Sequence, residues 1–99
     1  MKRINARQAV DMIEQRLDFN AGNLWGRWEG DNGEGGPSEY VVYSYRQWIA
    51  KFNPDFPKWD LNTQKYSVTT SKHQNYTKRA VDAWRHLQGA KYLLVNSNG

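Results

Sequence analysis

The sequence predicts an α+β domain: an N-terminal helix, three or four strands in a mainly antiparallel sheet, a second, basic amphipathic helix, and a short C-terminal strand or tail. Three observations lead there. Apolar residues recur at helical spacing near both ends of the chain, at Ala6, Ala9, Val10, Ile13 and Leu17 and again at Tyr76, Ala80, Ala83, Trp84 and Leu87. Short β-rich segments occupy the middle, and Gly and Pro clusters separate them. With 99 residues the chain makes one domain, 1–99, whose modest core buries about 60–70% of the unfolded surface.

Asn5, with Gln8 three positions on, is the expected cap of a helix over about 5–19, stopped by Gly22. Leu24-Trp25-Gly26-Arg27-Trp28-Glu29 reads as a strand, with Leu24 and Trp28 on one face and Trp25 and Arg27 on the other. Gly26 between two Trp marks a bulge or a close backbone approach. Residues 30–38, with four Gly and one Pro, read as a flexible loop. Tyr40 to Tyr45 is a strand by composition, Arg46-Gln47 a tight turn, and Trp48 to Phe52 the return strand. Two prolines in 53–60 leave that stretch irregular. A strand over 64–69 then feeds a helix over 71–88, with Ser71 and Gln74 as a capping box and Gly89 as the stop. Lys91 to Val95 is apolar enough to dock as an edge strand or against the first helix, and the tail 96–99 is expected to be disordered. Both helices can cover one sheet face and leave rings on the other.

Composition narrows function. Without cysteine there is neither a disulfide framework nor a thiolate metal site. No apolar run approaches the roughly 18 residues of a membrane span, and no signal core follows the first charges. These features predict a soluble, cytoplasmic protein with no membrane contact. No spacing suggests a metal site, a phosphate loop or a nucleophile–base pair, so no catalytic residue, cofactor or metal is expected, and the chain is read as a non-enzyme.

Two surfaces can bind. Net charge is +4, and the second helix sets Lys72, Lys78, Arg79 and Arg85 against one acid, Asp82. Thr69, Thr70 and Ser71 at its start cap the helix, alone or together with an anion held by free N–H groups and the helix dipole. These seven positions, Thr69, Thr70, Ser71, Lys72, Lys78, Arg79 and Arg85, are the expected anion or nucleic-acid contacts. Aromatic content is the other signal: of five Trp, six Tyr and three Phe, some must form the core, since Leu and Ile are few, and others can stay at the surface as contact platforms. Trp25, Trp28, Trp48 and Trp59 are the expected protein-contact rings.

The segments Tyr43-Ser44-Tyr45 and Tyr66-Ser67-Val68-Thr69-Thr70-Ser71-Lys72-His73-Gln74 resemble motifs of a family of small uncharacterised proteins found in bacteriophages, especially those of actinobacteria, and in related mobile elements. Where that family has a Gly-containing hairpin turn, this chain has Arg46-Gln47. The resemblance implies a phage-type origin and nothing catalytic. The leading expectation is therefore a small phage-type accessory protein that binds a host macromolecule, first a host protein such as a defence component. The alternative is nucleic-acid binding by the basic helix and aromatic side chains, and a homo-oligomer is a further expected assembly. The order of elements also resembles, at the level of topology, the double-stranded RNA-binding domain, which places lysines at the start of its second helix.

Overall fold

In a computed structural model, which describes residues 3–30 and 38–97, two helices lie on one face of a five-stranded antiparallel sheet. The elements are α1 (Ala6–Glu14), β1 (Phe19–Ala21), β2 (Leu24–Glu29), β3 (Glu39–Ser44), β4 (Gln47–Asn53), β5 (Lys58–Leu61) and α2 (Val68–Ser97). The sheet order is β1-β2-β3-β4-β5, a meander in which each strand pairs with its sequence neighbour. The α+β class holds, with five strands where three or four are expected; β1, at the end of the expected first helix, and β5 are the additions. The expected loop 30–38 falls largely, and the expected tail partly, outside the described residues.

The helix α1 opens on the expected capping box: Gln8 N–H donates to the Asn5 side chain at 2.8 Å, and Asn5 N–H donates to Gln8 Oε1 at 3.0 Å. It ends earlier than the apolar spacing predicts. Arg16 takes the left-handed conformation, with φ 54°. Leu17 N–H then donates to the Met12 carbonyl, and Arg16 N–H to that of Ile13. These two hydrogen bonds together close a helix end even without glycine. Gly22, expected as the stop, instead shapes the turn between β1 and β2 with φ 77°.

The core forms between the helices and the sheet. Leu24, Tyr40, Val42, Ala50, Phe52 and Trp59 from the strands meet Ala9 and Ile13 of α1 and Ala80, Val81 and Trp84 of α2. Gly26 proves to be a close approach: a Cβ there would lie 2.6 Å from Phe19 Cε1 and 2.7 Å from the Tyr40 hydroxyl. The β3–β4 turn is Tyr45-Arg46, one residue earlier than expected, because Ser44 pairs with Gln47. Tyr45 accepts φ 57°, a conformation that favours glycine. Its N–H is held by the Asn23 carbonyl at 2.6 Å, and its carbonyl accepts from the Trp25 indole at 2.9 Å.

Three further expectations change. The Pro-containing stretch 53–60 does hold a strand, since β5 starts directly after Pro57 and brings Trp59 opposite Phe52. The expected strand at 64–69 is absent: residues 62–67 are irregular and α2 begins at Val68. At the other end Gly89 lies within α2, which runs on to Ser97, so Lys91 to Val95 is helix and not an edge strand. Gly89 has no positive φ, and so lacks the left-handed geometry of a stop.

Candidate functional site

Where α2 meets β3, the two sequence motifs come together. Ser67 rather than Ser71 caps the helix, its Oγ accepting from Thr70 N–H at 3.1 Å. The Ser71 N–H already donates to the Ser67 carbonyl at 3.0 Å, so it is not free for an anion. Thr70 turns inward and is buried, Ser71 is half-buried, and only Thr69 of the three stays exposed. Thr70 meets Ser44 of β3, whose Oγ lies 3.0 Å from Thr70 Oγ1 and 2.7 Å from His73 Nδ1. The Thr77 hydroxyl donates back to the His73 carbonyl at 2.8 Å. Gln74 donates to the Asn62 carbonyl at 2.7 Å and the Gln64 carbonyl at 3.0 Å, tying the irregular 62–67 segment to the helix.

The buried side of α2 therefore starts with Thr70, His73 and Thr77 and continues with Ala80, Val81 and Trp84, while Leu87 is exposed. The helical spacing was in the sequence, but its first half is polar, so hydrophobic periodicity passes over it. Burial holds the His73 imidazole below its ordinary pKa, because the charged form would lose hydration. Ser44 and His73 have the separation of a nucleophile and its base, yet Ser44 is wholly buried and no substrate atom can reach its Oγ. The pair fastens α2 to the sheet. Among the described residues, no group of three or more His, Asp or Glu side chains is placed to hold a metal ion.

The outward side of α2 carries two lines of cations, Lys72 with Arg79 and Lys78 with Arg85, with the exposed Asp82 between them. Lys72, Lys78, Arg79 and Arg85 are all exposed. Lys72 and Arg79 share a hollow of about 360 Å³ with Asn75, Tyr76 and Arg7 of α1, and no carboxylate lines it. The Arg79 guanidinium sits 5.8 Å from the Tyr76 ring centre. Lys78 lines a second hollow of about 160 Å³, to which Asn75 also contributes. The sequence does not place Arg7 on this surface, since only the packing of α1 against α2 brings it there.

The four expected contact Trp residues separate. Trp59 is 2% exposed and belongs to the core. Trp28, 40% exposed, stays at the surface, with its indole N–H donating to the Arg16 carbonyl at 2.8 Å. Trp25 and Trp48 are half-buried on the sheet face away from the helices. There Trp25 stacks on Tyr43 at 4.1 Å, the Arg27 guanidinium lies 5.5 Å from the Trp25 centre, and Lys51 Nζ lies 4.7 Å from that of Trp48. Tyr43 donates to Glu29 at 2.6 Å, and burial together with this bond pushes the phenol up to about 12. Burial raises the Glu29 pKa, but the bonds from Tyr43 and Arg27 outweigh it and hold the carboxyl below its ordinary value.

The family described as "Family of unknown function (DUF8033)" matches residues 6–88, and the chain belongs to it. Neither a curated protein nor a solved structure matches the chain. No helix among the described residues is long and apolar enough to cross a membrane.

Proposed function

We propose that this member of a family of unknown function is a non-catalytic accessory protein of the bacteriophage type that acts inside the host cell and binds nucleic acid through the outward side of α2. One observation carries the reading: Lys72, Lys78, Arg79 and Arg85 are all exposed along one helix, and no ion pair among the described residues engages them. Cations free to meet phosphates release condensed counterions on binding, so affinity should fall steeply with salt. Thr70 and Ser71 leave the proposed contact set, and Thr69 and the four cations remain.

A host protein as partner is the second reading, favoured by the side chains of Phe56, 75% exposed, and Trp28. Phe56 lies in the turn between β4 and β5 and Trp28 on β2, and Trp59 lies in the core, so these rings form no continuous apolar patch.

The test is a gel shift of a labelled oligonucleotide. Binding that weakens with salt is expected, together with a loss of at least about tenfold when Lys72, Lys78 and Arg79 are all changed to Glu. If the triple variant binds like the parent, the reading fails. Capture of a stoichiometric host protein through Phe56, with no shift of any nucleic acid, would favour the second reading instead.

A further inference from the structure

We infer that the hollow between α1 and α2 seats one nucleotide with its base unpaired, which makes single-stranded nucleic acid the preferred ligand over duplex. The inference rests on the nucleic-acid reading above and names its substrate class.

The hollow holds two kinds of chemistry in one place. Arg7, Lys72 and Arg79 approach from two helices and supply positive charge for a phosphate, with no carboxylate in the wall to oppose it. Lys72 and Arg79 are seven residues apart, two turns of one helix, and so lie on the same side of it about 10 Å from each other. Between them stand Asn75 and Tyr76. The Tyr76 ring with the Arg79 guanidinium against it, at 5.8 Å, gives a flat cationic and aromatic surface of the kind on which bases stack. The Asn75 amide is exposed and offers both a donor and an acceptor to a base edge.

A duplex cannot use that second half. Its bases are stacked inside the helix, and what meets a protein surface first is sugar and phosphate. The cations alone would serve a duplex and a single strand alike. A ring and an amide in the same seat add affinity only when the base is free to turn outward. The adjoining hollow beside Lys78 shares Asn75 as a wall, so a strand leaving the first seat crosses α2 towards another cation.

The experiment compares a labelled oligothymidine of twelve nucleotides with a mixed-sequence duplex of the same length, by fluorescence anisotropy at one ionic strength. The single strand should bind about tenfold more tightly, the size expected from one stacked base. Tyr76→Leu keeps an apolar side chain at this half-buried position and removes the ring. It should weaken the single strand about fivefold or more and leave the duplex unchanged, with the thermal melt confirming an intact fold. Arg7→Glu, at an exposed position, should weaken the single strand by a similar factor. Equal or tighter binding of the duplex, or a Tyr76→Leu variant that binds single strands normally, overturns this inference and leaves the function standing. No binding of either probe overturns both.

Discussion

Gly26 and His73 show how much of this protein is decided at single positions. At Gly26 there is no room for a methyl group, since Phe19 and the Tyr40 hydroxyl already occupy the space within 2.7 Å. Gly26→Ala should cost about 1–3 kcal/mol in denaturant titration, from overpacking rather than from backbone strain. An unchanged midpoint would show that Phe19 can move aside. The sequence hinted at this, because a glycine between two tryptophans in a strand asks for a reason. It did not reveal His73, whose partners lie on β3 and become visible only once Ser44 is placed. The neutral imidazole is favoured in the folded state, so its contribution to stability is complete above the ordinary histidine pKa of about 6.5 and is lost as pH falls below it. Between pH 7.5 and 5.5 the parent should therefore lose more stability than His73→Gln, measured by urea titration at each pH. Parallel pH profiles for the two would mean that His73 is already hydrated in the fold.

Elements were legible where their own residues specify them and misplaced where a distant partner does. Asn5 and Gln8 mark the start of α1 locally, and β2 to β4 were found within a residue or two because alternation and β-branching are local properties. The end of α1 is hidden in the sequence because Arg16 stands where glycine is usual. β5 is hidden because two prolines mask Trp59, whose value lies in packing on Phe52. The candidate site followed the same division. The cations of α2 were read directly, whereas Arg7 reached the surface through helix packing and Thr70 left it through a bond to Ser44. Gly89 gives an element-scale expectation. It is exposed in the interior of α2, and a Cβ there meets nothing within 4 Å. Gly89→Ala should raise stability by roughly 0.5–1 kcal/mol by lowering the entropy lost on forming the helix. A loss in the same titration would show that α2 is not continuous through this point.

At the scale of the whole molecule, the faces of the sheet divide the chemistry. The helix side holds the core and, beyond it, the cations of α2, while the far side holds the Trp25–Tyr43 stack with Arg27 and Lys51. The meander also governs how the chain finds this arrangement. Every strand pairing closes a short loop, which loses little entropy and so forms early. The docking of α1 on α2 is different, because Glu14 and Val68 lie more than fifty residues apart, and it should come late on the path. In stopped-flow experiments Ala9→Gly, at the buried side of α1, is then expected to accelerate unfolding more than it slows refolding. The opposite partition would place the helix pair in the nucleus. On this ordering the hollow lined by Arg7 is the last surface to be assembled, and the first to be lost when the chain begins to open.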